Sequence, residues 1–369
     1  MGFGTMRLPT EGSATCGDKL SGNIDETEAI RMIRYAIDEG VNYLDTAYGY
    51  HKGNSETVTG KALKDGYRNK VMLASKSPVW LLSKAEDFGS KLDEQLKKLQ
   101  TDHIDFYLFH GLSKERWRDI ILKLDIIKCA EDAKLAGKIN YIGFSFHDKY
   151  DVFTEIIDGY DKWDLCQIQY NYMDFENQAG TKGLKYAASK GLPVIIMEPQ
   201  LGGRLANPPK TIQTIFNEYG VKRSPSYWAL QWLWNQPEVS VVLSGMSNMK
   251  QVKDNIAYAN DSGEGLFGSE ELDIIERVRL KYNERAVIPC TACGYCMPCP
   301  NNVNIPRNFE LYNDSVIYED VTGSHTVYNN FFNEANRSSA CIQCKICEEK
   351  CPQKISISEW MPIVHNTLK

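Results

Sequence analysis

The stretch Ile104-Asp-Phe-Tyr-Leu-Phe-His110 is a short, mostly apolar run that ends on a polar side chain. Its length and aromatic content are typical of a buried β-strand. Similar runs recur up to about residue 260, separated by stretches whose apolar residues are spaced as on one face of a helix. This alternation predicts a parallel sheet covered by helices. The predicted strands are residues 2–6, 42–45, 71–76, 104–110, 139–145, 165–169, 193–198 and 239–244.

Eight strand–helix units can form either a closed (β/α)8 barrel or an open, doubly wound sheet. The open sheet normally carries G-x-G-x-x-G after its first strand, and Gly2-Phe-Gly-Thr-Met-Arg does not complete that pattern. In a barrel, the strands deliver polar residues to the C-terminal face, where the active site lies. The sequence therefore predicts an α/β fold, a (β/α)8 TIM barrel. The polar residues that end predicted strands are Asp45, Lys76, His110, Ser145 and Glu198.

Charge and hydropathy exclude several classes of function. The 369 residues contain 42 Lys and Arg against 48 Asp and Glu, for a net charge of −6. A chain of this charge has no general attraction to nucleic acid or to anionic membrane surfaces. Its apolar runs are shorter than a membrane span, and Met1 does not open a basic segment followed by an apolar one. We therefore expect a cytoplasmic protein with neither nucleic acid nor membrane as a partner.

The cysteines divide the chain into two parts. Eight of the 11 cysteines lie between Cys290 and Cys351. Disulfide frameworks are typical of short secreted chains, whereas clustered C-x2-C spacing indicates a metal or redox centre. We predict a barrel domain at residues 1–280 and a small cysteine-rich domain at 281–369, with a short helix near 306–318 and irregular chain beyond it. Cys16, Cys129 and Cys166 are interpreted as incidental thiols.

Five segments of the first part form a more specific pattern. Asp45-Thr-Ala-Tyr-Gly-Tyr50, Ala74-Ser-Lys76 and Leu108-Phe-His110 follow one another on successive predicted strands, and glycine-containing loops occupy 199–203 and 244–255. In this order, the segments resemble the aldo-keto reductase family over about residues 1–280. The resemblance implies an enzyme that uses NADP or NAD to interconvert a small aldehyde or ketone and its alcohol.

Four side chains of these segments suit carbonyl reduction. Hydride addition builds negative charge on the carbonyl oxygen, so a proton donor must lie within hydrogen-bond reach. Tyr50 is the predicted donor, and the Lys76 ammonium is expected to favour ionisation of a phenol whose ordinary pKa is about 10. Asp45 would keep Lys76 charged through an ion pair. His110 would orient and polarise the substrate oxygen.

The resemblance also implies a nicotinamide cofactor extended across the mouth of the barrel. Ser145 and Gln167 match the positions that hold the carboxamide, and Met197 replaces the usual aromatic cover of the ring. Gln251 occupies the position of an arginine that often binds the 2′-phosphate, with Lys250 and Lys253 beside it, which leaves both NADP and NAD open. The predicted cofactor-binding residues are Gly4, Thr5, Met6, Asp45, Ser145, Gln167, Met197, Pro199, Leu201, Gly203, Ser244, Gly245, Met246, Asn248, Gln251 and Asn255.

The cysteine-rich part contains two related motifs. Cys290-Thr-Ala-Cys293-Gly-Tyr-Cys296-Met-Pro-Cys299-Pro and Cys341-Ile-Gln-Cys344-Lys-Ile-Cys347-Glu-Glu-Lys-Cys351-Pro resemble those of bacterial ferredoxins, although the first is one residue short. In two-cluster ferredoxins, the fourth cysteine of each motif serves the other cluster. Zinc is the alternative, because thiolate tetrads with C-x2-C spacing also bind it. The resemblance implies two 4Fe-4S clusters, one on Cys290, Cys293, Cys296 and Cys351 and one on Cys341, Cys344, Cys347 and Cys299.

Together the two parts resemble a subgroup of aldo-keto reductases that carries a ferredoxin-like tail. We predict an NAD(P)H-dependent oxidoreductase acting on a small carbonyl or alcohol substrate. The alternative is an iron–sulfur electron-transfer or redox-sensing protein whose barrel binds nicotinamide without carbonyl turnover. The complete set of Tyr50, Lys76, Asp45 and His110 favours the first hypothesis. Because clusters pass single electrons, a one-electron redox partner is a further expectation, and a structural role for the clusters stays open.

Overall fold

Eight parallel strands form a closed barrel in the first part of the chain. The computed structural model describes residues 1–12 and 23–369; Cys16 lies outside them. Neighbouring strands pair in sequence order and β1 pairs with β8, where Gly2 lies opposite Leu243 and Gly4 opposite Gly245. The predicted TIM barrel is thus confirmed. The strands are β1 (Gly2–Gly4), β2 (Tyr43–Asp45), β3 (Met72–Ser77), β4 (Ile104–Leu112), β5 (Ile139–Phe146), β6 (Leu165–Gln169), β7 (Val194–Met197) and β8 (Val239–Gly245).

Helices connect successive strands. Two features explain why the first of these segments is helical. The Asp25 carboxylate accepts a hydrogen bond from the Glu28 amide at 3.0 Å, and the apolar face with Met32, Ile33 and Ala36 is fully buried. The helices up to residue 260 are α1 (Glu26–Asp38), α2 (Ser55–Ala62), α3 (Ala85–Leu99), α4 (Ile126–Leu135), α5 (Tyr150–Asp158), α6 (Gly180–Ser189), α7 (Lys210–Asn217), α8 (Pro225–Trp234) and α9 (Met249–Asn260).

Apolar side chains fill the inside of the barrel, as expected for a packed core rather than a pore. The large outer core lies between the strands and the helices and contains residues such as Leu44 and Leu73. A smaller cluster, which we call the plug, closes the interior. The plug consists of Tyr43, Ala74, Leu108, Leu165, Ile195 and Leu243.

The chain forms two compact units. One comprises Met1–Gly203 and Ser226–Gly268, and the other Arg204–Pro225 and Ser269–Lys369. The second unit therefore includes α7 as well as the cysteine-rich region. The domain boundary expected at residue 280 stays a prediction. The helices of the second unit that follow residue 268 are α10 (Ser269–Asn283), α11 (Ile305–Ile317), α12 (Val321–Asn330), α13 (Ile346–Glu349) and α14 (Ile357–Leu368).

The chain beyond α11 is more regular than the sequence suggested. We expected irregular structure there, and the expectation is wrong, because α12 forms instead. The Asp320 carboxylate caps it by accepting a hydrogen bond from the Gly323 amide at 2.9 Å, and Tyr328 is fully buried in the core of the second unit. The polar composition of α12 hid its single buried aromatic anchor. Among the described residues, we find no helix with the length and apolar character needed to span a bilayer.

Candidate active site

The polar layer of the barrel lies directly above the plug. Side chains alternate along a strand, so residues two positions further along point to the same side. Each member of the layer follows a plug residue, or Gly143 of β5, by two positions, at the C-terminal end of its strand. The layer comprises the polar side chains of Asp45, Lys76, His110, Ser145 and Gln167, together with the apolar side chain of Met197.

Lys76 is the centre of this layer. Its ammonium Nζ lies 2.7 Å and 2.8 Å from the two carboxylate oxygens of Asp45 and 2.9 Å from the carbonyl oxygen of Thr46. It also lies 3.3 Å from the hydroxyl of Tyr50. Lys76 and Asp45 are 1% and 3% exposed. A buried ammonium of this kind is stable only with charged and hydrogen-bonded partners, which are all present here.

Burial and charge set the protonation of these groups. Burial alone would lower the pKa of Lys76, but the nearby Asp45 and Tyr50 outweigh it, and the pKa lies above the usual lysine value. For Tyr50, burial raises the pKa above that of an ordinary phenol, although Lys76 acts in the opposite direction. The expected influence of Lys76 is thus present, but burial is the larger effect. Tyr50 is therefore a neutral phenol at neutral pH, and it lies beside a cation that can balance the charge of its deprotonated form.

A tight turn delivers Tyr50 to this position. His51 and Lys52 have φ angles of 48° and 56°, in the left-handed region that side chains with a Cβ rarely adopt, and Gly53 follows at 91°. At the start of the turn, the Tyr48 hydroxyl lies 3.1 Å from both carboxylate oxygens of Glu94. Such strain is tolerated where the surroundings fix the conformation, as is common at functional sites.

His110 faces the Tyr50 ring. The two ring centroids are 6.0 Å apart at a nearly perpendicular angle. Burial, followed by the positive charge of Lys76, holds the pKa of His110 well below its usual value, so the imidazole is neutral. Its Nδ1 is buried without a hydrogen-bond partner among the described residues. A neutral ring can orient a carbonyl oxygen without competing for the proton.

The two cysteine motifs of the second unit adopt related loops. After Cys290, left-handed φ angles occur at Ala292 and Gly294, two and four positions along. After Cys341, they occur at the corresponding Gln343 and Lys345. Alternating backbone handedness turns amide groups toward a shared centre, as in anion-binding nests. The amide of Gln343, for example, donates to the Cys341 Sγ at 3.4 Å.

Each predicted cysteine quartet lines its own cavity. One cavity is bordered by Cys290, Cys293, Cys296 and Cys351, and the other by Cys341, Cys344, Cys347 and Cys299. The grouping follows the crossed pattern, in which the fourth cysteine of one motif joins the first three of the other. Within residues 1–12 and 23–369, three or more potential ligands do not converge as they would around a single metal ion. Cys166 is buried in the barrel core, and Cys129 Sγ lies 3.7 Å from the Ala85 carbonyl oxygen.

The barrel and the cysteine-rich region each match a family model. The model described as the aldo/keto reductase family covers residues 1–264, well over half of the chain. The chain belongs to the aldo/keto reductase family. It is thus an oxidoreductase of that family. Residues 289–356 match the model of a 4Fe-4S dicluster domain, so this aldo/keto reductase also carries a C-terminal ferredoxin-like domain.

Three relatives illustrate the extent of the similarity. Aldo-keto reductase YhdN of Bacillus subtilis is 26% identical over 71% of this chain and 87% of its own. The NADH-specific methylglyoxal reductase of Escherichia coli is 26% identical over 70% of this chain and 89% of its own. A Klebsiella pneumoniae aldo/keto reductase, solved with NADP and acetate, is 25% identical with a TM-score of 0.59 over 75% of this chain and 90% of its own.

The two residues of this reductase that are predicted to hold the nicotinamide carboxamide lie side by side. Ser145 and Gln167 pair in register on β5 and β6 and are both almost fully buried. The Gly111 amide donates to the Ser145 Oγ at 2.7 Å, and the Gln167 amide nitrogen donates to Asp45 at 3.4 Å. The Gln167 Oε1 is buried without a partner among the described residues. A buried acceptor of this kind fits the amide of a nicotinamide.

The loop after β1 of the reductase contains two of the predicted cofactor-binding residues, Thr5 and Met6, which differ in exposure. The Thr5 hydroxyl is fully buried, donates to the Asp45 carbonyl oxygen at 3.0 Å and contacts Ser55 Oγ at 2.8 Å. It therefore stabilises the backbone at Asp45. Met6 is 39% exposed. Gly4 contacts the β8 backbone closely, since a Cβ there would lie 3.5 Å from the Ser244 carbonyl oxygen.

The predicted residues after β8 form the start of α9. Asn255 donates to the Ser244 Oγ at 2.9 Å, and Met246 is fully buried in the barrel core. The Asn248 side chain accepts from the Gln251 amide at 3.0 Å, and Gln251 Oε1 accepts from the Ser247 amide at 2.7 Å. Asn248 is therefore the N-cap of the helix, and the Gln251 side chain binds the residue before it. Lys250 pairs with Asp254, and Lys253 Nζ lies 5.5 Å from the centre of the Tyr35 ring.

The loop after β7 brings in a residue that the sequence analysis missed. Pro199 is buried, and the segment Leu201–Ala206 turns through left-handed φ angles at Leu201, Gly202 and Gly203. A Cβ on Gly202 would lie 3.1 Å from the Arg7 guanidinium, and one on Gly245 would lie 3.4 Å from the same side chain. Arg7 therefore lies between the loops after β7 and β8. No residue pattern around it indicated this position.

Two further residues at the site were also missed. Trp80, which is 42% exposed, packs against His110 with ring centroids 5.2 Å apart. The Arg116 guanidinium lies 5.5 Å from the centre of the Trp80 ring. Both residues follow strands in segments without regular periodicity, so the sequence carried no signal of their place. They extend the site from Tyr50 toward one side of the mouth.

Proposed function

We propose that this reductase interconverts an aldehyde or ketone and its alcohol with NAD(P)H, with Tyr50 as the general acid and base. The observation that carries the proposal is the partly buried contact between the Tyr50 hydroxyl and a Lys76 ammonium that is itself held by Asp45. The Tyr50 proton donor contacts two members of the polar layer, the Lys76 cation that can balance its conjugate base and the neutral His110. This is the set of groups that carbonyl reduction requires.

The bound nicotinamide would supply the hydride for the carbonyl carbon. Gln167 Oε1 and Ser145 would hold its carboxamide. Tyr50 would give its proton to the carbonyl oxygen, and Lys76 would stabilise the tyrosinate that remains. His110 would keep the oxygen directed at Tyr50, which then regains a proton from solvent. In the reverse direction, the tyrosinate would take the proton of the alcohol.

Both NADP and NAD remain candidates for the cofactor. The Klebsiella pneumoniae relative was solved with NADP, whereas the Escherichia coli relative is NADH-specific. In this chain, the Gln251 side chain binds the Ser247 amide and offers no guanidinium to a 2′-phosphate. Lys250 and Lys253 are near the start of α9 and could act on that phosphate as point charges. Both nucleotides therefore belong in the first assay.

The proposal gives the cysteine-rich domain two 4Fe-4S clusters with crossed ligand sets. The two cavities and the matching loop conformations support it. The clusters would exchange single electrons with a one-electron redox partner. A cytoplasmic location is part of the proposal, since thiolates remain reduced there. An electron-transfer or redox-sensing role without carbonyl turnover is the competing hypothesis.

Turnover decides between the two hypotheses. The protein is purified without oxygen, iron and sulfide are measured, and the oxidation of NADH and of NADPH is followed with a panel of aldehydes and ketones. We expect stoichiometric alcohol formation with at least one carbonyl class. Cluster reduction by a ferredoxin-type donor, with no carbonyl turned over by either nucleotide, would instead support the electron-transfer hypothesis.

The pH dependence of reduction follows from the two shifted groups. Reduction needs Tyr50 protonated and His110 neutral; the pKa of Tyr50 is raised and that of His110 is lowered. We therefore expect kcat/KM for reduction to be flat between about pH 6.5 and about pH 10, the ordinary pKa values of the two groups. It should fall above that range, as Tyr50 loses its proton, and below it, as His110 gains one. A decline that begins near neutral pH would contradict the assignment.

A further inference from the structure

Arg116 places a positive charge at the edge of the active site. It is the first residue of a π-helical turn, Arg116–Leu122, that follows β4. Its guanidinium donates to the carbonyl oxygen of Gly111 at 2.7 Å and more weakly to that of His110 at 3.4 Å. Gly111 leaves room for this contact, because a Cβ there would lie 2.7 Å from Arg116 Nη1. The guanidinium is therefore fixed by backbone groups.

Among residues 1–12 and 23–369, the Arg116 guanidinium has no acidic partner. Arg116 is half-buried, and burial lowers its pKa without a compensating carboxylate. The described residues place no Asp or Glu within ion-pair distance of it. Arg118, two residues further on, shows the usual arrangement, with its guanidinium 2.6 Å and 2.7 Å from the Glu155 carboxylate. Desolvating a cation without a counter-ion is costly, so an anion from outside the chain would be stabilised here.

A continuous surface joins this cation to the reacting groups. Arg116 stacks on Trp80, Trp80 contacts His110, and His110 contacts Tyr50. The charge of Arg116 is also felt at His110, whose pKa is lowered by burial, by Lys76 and, more weakly, by Arg116. Of the acidic groups that act on Tyr50, Asp45 is paired with Lys76, and Glu198 acts more weakly than Asp45. Arg116 thus adds a positive charge beside His110.

We propose that Arg116 binds a carboxylate of the substrate, so that the protein reduces oxo acids, in which a carbonyl and a carboxylate share one carbon chain. The proposal rests on the proposed carbonyl reduction. One guanidinium matches a carboxylate in charge and in bidentate geometry, whereas a phosphate dianion usually gathers more than one cation. Trp80 would cover the carbon chain between the carboxylate at Arg116 and the carbonyl at Tyr50.

The test compares matched substrates on the anaerobically purified holoenzyme. The probes are ω-oxo acids of increasing chain length, each paired with the unsubstituted aldehyde of equal length. The quantity measured is the ratio of kcat/KM for the acid to that for the aldehyde. In Arg116→Met, we expect this ratio to fall by roughly 10- to 100-fold, the loss of one charge-assisted interaction, mainly through KM for the acid. Arg116→Lys should retain part of the ratio.

Arg118→Met is the control, since it removes an equal charge from the same segment but from an arginine paired with Glu155. Its ratio should match that of the wild type. A wild-type ratio near one at every chain length, or a ratio unchanged in Arg116→Met, would overturn the inference while leaving carbonyl reduction intact. If neither acids nor aldehydes are reduced by the wild type, carbonyl reduction itself fails, and the inference fails with it.

Discussion

Replacing Tyr50 with phenylalanine is expected to lower kcat for carbonyl reduction by about 10²- to 10⁴-fold, the usual contribution of a positioned acid. The variant loses only the hydroxyl that lies 3.3 Å from Lys76 Nζ. The ring, its contact with His110 and the Asp45–Lys76 pair are retained. Nucleotide affinity, measured by fluorescence titration, should therefore change little. The loss should appear in the chemical step of a single-turnover experiment.

Tyr48→Phe provides the matched control for this prediction. Tyr48 lies two residues earlier in the same turn, and its hydroxyl contacts Glu94 and Lys91 rather than the polar layer. Its activity should stay close to that of the wild type. Comparable kcat values in Tyr50→Phe and the wild type would show that another group donates the proton.

Paired cysteine substitutions should separate the two proposed clusters. Cys290 and Cys351 belong to different motifs but border the same cavity, whereas Cys347 and Cys351 share a motif and border different cavities. With crossed ligands, Cys290→Ala with Cys351→Ala should lower the iron content from about eight to about four per chain, because one cluster is lost. Cys347→Ala with Cys351→Ala should remove nearly all iron, because each cluster loses a ligand.

Iron and sulfide analysis together with electron paramagnetic resonance of the reduced protein measures this outcome. Cys129→Ala is the control, because Cys129 lies in the barrel unit and should leave the iron content unchanged. The reverse order of the two double variants would mean that each motif holds its own cluster. A single zinc per cavity, found by metal analysis of protein made and kept without oxygen, would exclude iron–sulfur ligation altogether.

The barrel could be predicted because its signals are local. A short apolar run predicts each strand. The two-residue alternation of side chains that places Leu108 in the plug also places His110 in the polar layer. The same reasoning identified Asp45 and Lys76. The spacing of the cysteine motifs likewise predicted an iron–sulfur domain, and residues 289–356 match the 4Fe-4S dicluster model.

Other features depend on contacts that the sequence does not display. The net pKa of Tyr50 is one, since the expected effect of Lys76 is outweighed by burial that only the folded barrel creates. The role proposed for Arg116 is another such feature, because it depends on the absence of a nearby carboxylate within the described part of the chain. Helix α12 was missed because a single buried aromatic residue, Tyr328, anchors a polar segment.

The acidity of Tyr50 offers the most direct test of the account. Removing Lys76 would leave Asp45 buried and unpaired, which commonly destabilises a protein by about 3–5 kcal/mol, so its effects on chemistry would be hard to separate. Site-specific incorporation of 3-fluorotyrosine at position 50 avoids this, because it makes the phenol more acidic and leaves the ion pair in place. The measurement is the pH profile of kcat/KM for alcohol oxidation, which requires the tyrosinate. We predict that its rising limb moves to lower pH than in the wild type; an unshifted limb would contradict the role of Tyr50 as the acid and base.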